Sequence, residues 1–115
     1  MAVVDMDKDG LDDIVQLSMS THVYILYQNP DHSFVTYDYG EVDNGSQWGW
    51  AIADLDNDGH KDICSGVSIT RYLRISARGV FTLTNLNGPA IFTQGMSMAD
   101  MNSDGRVDVY ACHDN

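Results

Sequence analysis

The sequence predicts an all-β chain built from repeated four-stranded antiparallel units, two of them complete and the third represented by its first hairpin. Three observations carry this expectation. A twelve-residue acidic motif occurs three times at nearly constant spacing. The segments between its copies are short, β-branched and aromatic, and are broken by turn residues. No segment sustains the helical apolar periodicity of about 3.6 residues.

The copies "VVDMDKDGLDDI" (3–14), "IADLDNDGHKDI" (52–63) and "MADMNSDGRVDV" (98–109) align without gaps, and their first aspartates lie 49 and 46 residues apart. Periods of about 40–50 residues are typical of propeller blades and some solenoids. Ahead of the loops, Gly49 and Gly95 recur five residues before the first aspartate, and Ala2, Ala51 and Ser97 three before it. Val4, Ala53 and Ala99 come one before it. Small alternating residues suit a strand packed close to other backbones, such as the innermost strand of a blade.

A second strand follows each loop: "DIVQLSM", "DICSGVSI" and "DVYAC". In the first unit the third and fourth strands are "HVYILYQ" (22–28) and "SFVTYDY" (33–39), joined by "QNPDHS". In the second unit they are "RYLRISA" (71–77) and "VFTLTNL" (80–86), joined by the shorter "ARG", which accounts for most of the spacing difference. "HVYILYQ" is apolar on both faces, as expected of a strand sandwiched between neighbouring sheets. The linkers "GEVDNGS" (40–46) and "NGPAIF" (87–92) are turn-rich. The fold expected is therefore propeller-type blades at 1–46, 47–92 and 93–115, with acidic loops at 5–13, 54–62 and 100–108.

The formal net charge is -11, from 17 acidic and 6 basic residues, which disfavours nucleic acid and anionic membrane surfaces as partners. No apolar run reaches the length of about 18 residues that a spanning helix needs, so no membrane insertion is expected. The N-terminus has neither a basic region nor an apolar signal core, as expected of a mature product, an excised piece or a cytosolic protein. Twelve of the 17 acids fall in the three loops, too regular for a merely solvated surface. Cys64 and Cys112 fit no zinc spacing and are expected to be free, partly buried thiols, with a disulfide the alternative. His22, His32, His60 and His113 are scattered and expected at the surface.

Clustered carboxylates repel, and a cation is the natural offset. Counted from the first aspartate, positions 1, 3 and 5 are Asp5, Asp7 and Asp9, then Asp54, Asp56 and Asp58, then Asp100, Asn102 and Asp104. Position 6 is Gly10, Gly59 or Gly105, and position 9 is Asp13, Asp62 or Asp108. Oxygen ligands at alternate positions wrap one hard cation, and calcium accepts about six to eight of them in flexible geometry. The glycine permits the sharp turn that returns position 9 to the ion. Position 7 then contributes only a backbone carbonyl, which agrees with its varied identity: Leu11, His60 and Arg106. Three Ca²⁺ sites follow, and their +6 would take the net charge from -11 to -5. Magnesium demands a stricter octahedron and zinc prefers nitrogen or sulfur. The first half of the loop fits an EF-hand, but position 12 is Gln16, Ser65 or Ala111 in place of the bidentate glutamate, and the flanks are strand-like.

The pattern D-x-[DN]-x-D-G-x-x-D-[IV], preceded by a strand of glycine and small residues, resembles the FG-GAP/VCBS repeat of integrin-alpha-like propellers. "LYQNPDHSF" (26–34) looks like that family's second hairpin. The resemblance implies a blade whose loop between its first two strands binds calcium through positions 1, 3, 5 and 9 and the position 7 carbonyl. It also implies an extracellular or secreted scaffold or cell-adhesion module that recognises protein or glycan. The second unit lacks the usual Asn/Gly turn, and two and a half blades cannot close the usual seven-bladed ring. The chain is therefore expected to be part of a longer protein or, second, a protomer completed by self-association.

Two alternatives belong to other classes. One is a structural subunit of an extracellular filament or ring, joined through open blade faces. The other is the non-catalytic propeller part of a secreted polysaccharide-active enzyme. Catalysis by this chain is not expected: only Asp31, Asp38, Glu41, Asp43 and Asp114 lie outside the loops, and no nucleophile–base pair is evident. Asn44-Gly45-Ser46 is an N-glycosylation sequon. Trp50 is expected in the core and Trp48 nearer a binding surface. Tyr37 and Tyr39 alternate on an outer strand, where they either contact ligand or cover the core.

Overall fold

A computed structural model of the chain describes residues 1–18, 21–42, 49–66, 69–86 and 92–113. It is all-β, with no helix among the described residues. The first sheet is a meander of β1 (Ala2–Val4), β2 (Asp13–Leu17), β3 (His22–Gln28) and β4 (Phe34–Glu41), every neighbouring pair antiparallel. The second repeats it with β5 (Gly49–Ala53), β6 (Asp62–Gly66), β7 (Thr70–Ala77) and β8 (Val80–Asn85). The third unit is the hairpin β9 (Thr93–Ala99) with β10 (Asp108–His113). The units are propeller-type blades, and they form no closed propeller.

Registers repeat as closely as the motifs do. Val3 pairs with Ile14, Ile52 with Ile63, and Met98 with Val109. Each acidic loop therefore joins the first two strands of its unit. Gly49 lies against the backbone of Gly95, where an added Cβ would meet Thr93 at 2.9 Å. The small residues ahead of the loops thus allow the innermost strands β5 and β9 to pack closely.

The core lies between the first two sheets. Val15, Val23, Ile25, Tyr27 and Tyr39 of the first meet Ile63, Leu73 and Ile75 of the second, with Met6 and Val42 at the margins. Burial along β3 alternates strictly: Val23, Ile25 and Tyr27 are buried, while Tyr24 and Leu26 are half-buried. Within this chain the odd-numbered face meets the second sheet, and the half-buried Tyr24 and Leu26 lie on the opposite face. Trp50 is half-buried and packs against the core, as expected, and lines an open cleft of about 250 Å³ with Ala2, Val4, Ala51 and Ile52. Tyr39 is buried and Tyr37 half-buried, so both cover the core. Trp48 and the Asn44 sequon lie outside the described residues. Both cysteines are free, Cys64 buried and Cys112 exposed, and burial pushes the Cys64 thiol up to about 12.

Directional contacts fix how the sheets dock. The Met6 carbonyl accepts the Lys61 N–H at 2.8 Å, which joins the first two acidic loops. The Val42 carbonyl accepts Arg71 Nη1 at 2.7 Å. The Tyr27 and Tyr39 hydroxyls share a hydrogen bond of 2.6 Å, and the Tyr39 oxygen also accepts the Gly79 N–H at 2.9 Å. Gly79 sits in the β7–β8 turn at φ 75°, and a Cβ there would come within 2.9 Å of the Tyr37 ring. Gly79→Ala is therefore expected to lower stability by about 2 kcal/mol in urea unfolding, from left-handed strain plus displacement of Tyr37.

Candidate metal centre

The three loops share one backbone path. Position 4 is left-handed without being glycine, at Lys8 (φ 64°), Asn57 (φ 59°) and Ser103 (φ 60°). Position 6 is left-handed too, at Gly10 (φ 88°), Gly59 (φ 97°) and Gly105 (φ 84°). These reversals turn backbone N–H groups onto the first carboxylate. Asp5 accepts from Lys8 and Gly10, Asp54 from Asp58 and Gly59, and Asp100 from Asp104 and Gly105, at 2.7–3.1 Å. Position 5 accepts the N–H of position 7: Leu11 on Asp9, His60 on Asp58 and Arg106 on Asp104.

The position 9 aspartates have a second task that the motif did not reveal. Asp13 is fully buried and accepts the Met6 N–H at 2.8 Å and the Gln28 N–H at 2.9 Å. Asp62, also fully buried, accepts the N–H groups of Leu55 (3.0 Å) and Ile75 (2.9 Å) and the Tyr72 hydroxyl (3.1 Å). Each carboxylate thus pins its loop to the third strand of its own sheet. Asp108 accepts Met101 N–H at 2.9 Å.

Oxygens of Asp5, Asp7 and Asp13 lie within 4.8 Å of one another, as do those of Asp54, Asp56 and Asp62. Positions 1, 3 and 9 therefore converge in the first two loops. Asp9 and Asp58 are not in these groups. The third loop has Asn102 at position 3, and its amide donates to Asp104 at 3.1 Å. The converging carboxylates could hold a metal ion. A test within the structure favours the fit: Asp7 Oδ1 is buried and has no hydrogen-bond partner, and the Asp7 side chain is only 10% exposed. A buried anionic oxygen left without a donor is costly, and a cation beside it would remove that penalty.

Two arginines that the sequence did not single out face the loops. Arg78, in the β7–β8 turn, bonds Asp7 through Nε and Asp9 through Nη2, the latter at 3.0 Å. Arg74, on β7, bonds Asp56 through Nε and lies 3.6 Å from Asp58. With six basic residues against 17 acidic ones, each base was a candidate counter-ion, but nothing local says which acid it meets. Among the histidines, His32 and His113 are exposed as expected. His60 is half-buried with Nδ1 unpartnered, and His22 pairs with Asp38 at 3.0 Å.

Burial pushes the carboxyls of Asp13 and Asp62 above the usual 3.8, against the pull of the backbone N–H groups they accept. In Asp38 the Gly40 N–H, then His22, hold the carboxyl below it, and in Asp31 the Ser33 hydroxyl and N–H do so. A raised carboxyl favours the folded state while protonated. That contribution is fully present below 3.8 and fades as pH rises through the folded value. The lowered pair act oppositely, supporting the fold above 3.8 and losing that support as pH falls through their folded values. A carboxyl-carbon NMR titration of the cation-free protein is expected to find Asp13 and Asp62 titrating above Asp31 and Asp38. The reverse order would refute this assignment of causes.

Repeated four-stranded antiparallel sheets, each with an oxygen-rich loop in its first hairpin, define a β-propeller-type repeat module. The family model for the FG-GAP-like repeat matches residues 5–65, just over half of the chain, and the chain belongs to that family. The matched stretch contains the first two acidic loops; the third stands on its in-phase spacing and identical path. No curated protein matches the chain, and no solved structure matches it.

Proposed function

We propose that the chain is a calcium-stabilised, extracellular recognition module, with one Ca²⁺ per acidic loop and protein or glycan ligands bound through loops at the sheet ends. The observation that carries the calcium reading is the buried, donorless Asp7 Oδ1 within a group of three converging carboxylates. The all-oxygen donor set and irregular loop favour calcium over zinc or magnesium. Bound calcium would supply charge neutralisation; the chain's own part is to hold Asp5, Asp54 and Asp100 in place by backbone N–H groups. The loops would then act as staples for each first hairpin, and not as signalling switches.

Among the described residues, the carboxylates outside the loops, Asp31, Asp38 and Glu41, have structural partners, which supports a non-catalytic role. Asp31 accepts the Ser33 hydroxyl and N–H, Asp38 the Gly40 N–H, and Glu41 the Thr21 hydroxyl. The test is a thermal melt in EDTA, in millimolar calcium and in millimolar magnesium. A ligand that binds only the folded state at about 100 times its Kd adds about 2.7 kcal/mol, so a rise of several degrees is expected with calcium and little with magnesium. Equal melts in all three would overturn the calcium reading.

One observation favours a second reading, in which the sheets continue into further chain or a second copy. Asp13 and Asp62 each receive an N–H from the third strand of their sheets, whereas no such strand lies beside β10 among the described residues. Tyr110 on β10 is 55% exposed. Light scattering across protein concentration tests self-association directly; a mass equal to one chain at all concentrations would remove the second copy.

A further inference from the structure

We propose that Arg78 is a resident counter-cation of the first acidic loop and sets that loop's affinity for a divalent ion. The inference rests on the calcium reading above and names a residue that modulates it. Arg78 does not belong to the unit whose loop it enters. It comes from the β7–β8 turn of the second sheet and crosses to the loop between β1 and β2 of the first. Its guanidinium also donates to Asn29 Oδ1 at 3.3 Å and to the Gln28 carbonyl at 3.4 Å. The guanidinium carbon lies 4.8 Å from the centre of the Tyr27 ring. The side chain is only 27% exposed. Such a fixed, multiply bonded arginine differs from a solvated surface ion pair, which contributes little.

Arg78 takes one oxygen of Asp7 and one of Asp9. Asp9 stands outside the converging group of Asp5, Asp7 and Asp13, so its carboxylate must release Nη2 to join them around an ion. Arg78 therefore competes with the cation for one ligand and repels it from close range. The chain supplies its own comparison. Arg74 likewise bonds Asp56 of the second loop through Nε, but it is 46% exposed and lies 3.6 Å from Asp58. No ion pair reaches Asp100, Asp104 or Asp108 among the described residues. The first loop is the one whose arginine is the less exposed and the more fully bonded. Because the guanidinium belongs to the second sheet, filling the first loop also loosens one tie between the sheets.

The test is a calcium titration of the 115-residue chain followed by amide NMR. Gly10, Gly59 and Gly105 each donate to the first aspartate of their own loop and so report the three loops separately. In Arg78→Gln the Gly10 midpoint is expected at a calcium concentration lower by about fivefold or more, with Gly59 and Gly105 unmoved. Arg78→Lys keeps the charge and should lie between Gln and the native protein. The melting temperature of calcium-free Arg78→Gln should fall, opposite in direction to its gain in affinity. A purely structural arginine would lower both together. An unchanged or raised Gly10 midpoint, with Gly59 and Gly105 responding normally, would overturn the inference and leave the calcium reading intact. Should the native protein respond at none of the three glycines, the calcium reading fails. A Gly10 response that then emerges in Arg78→Gln would sustain the inference, and its absence there would end it.

Discussion

Asp62→Ala is expected to destabilise the protein by about 4 kcal/mol, since a buried donor stranded without an acceptor costs about 1–3 kcal/mol and a half-buried one less. The stranded groups are the N–H of Leu55 and Ile75 and the Tyr72 hydroxyl, which join loop, hairpin and third strand through one side chain. Part of this loss is offset by removing one charge from an acidic loop, so the measurement belongs in both EDTA and calcium. Asp108→Ala is the control. It strands the Met101 N–H at an exposed site, and should cost about 1 kcal/mol. Urea unfolding of the two variants decides the matter: equal losses would mean that the clip to the third strand carries little.

Tyr27→Ala should be of similar size, because truncating a large buried aromatic side chain costs about 3–5 kcal/mol. Tyr27 is the largest fully buried side chain among the described residues, meets Tyr37 edge-on at 5.5 Å between ring centres, and supports Arg78. Natural domains have about 5–15 kcal/mol in hand, so this variant is expected to unfold at low urea. Tyr27→Phe separates the hydroxyl from the ring. It removes the bond to Tyr39, while the Gly79 N–H keeps its acceptor, so a loss of about 1 kcal/mol is expected. If Tyr27→Phe were as damaging as Tyr27→Ala, the hydroxyl chain and not apolar packing would be what joins the sheets.

Much of the architecture was legible because it is local. Alternating β-branched and aromatic residues bounded by turns located the strands, and β3 spans the same residues, 22–28, that its pattern predicts. The glycine at position 6 announced a left-handed turn, and all three copies have one. Convergence of positions 1, 3 and 9 was also readable, since a fixed backbone path brings fixed offsets together. Position 5 was less so. Its carboxylate accepts the position 7 N–H and, in the first two loops, turns toward an arginine 69 or 16 residues away. No local spacing encodes that choice.

Local sequence set the repeat, the strand order within each unit, the turn that curls each loop and the run of side-chain oxygens along it. These follow from backbone sterics, side-chain alternation and residue chemistry acting over a few positions. Tertiary structure alone decided which face of β3 is buried, that Asp13 and Asp62 clip their loops to a third strand, and that Arg78 of one sheet answers the charge of the other. Those outcomes depend on how two sheets dock, and docking is set by the sum of many long-range contacts that no single stretch of sequence contains.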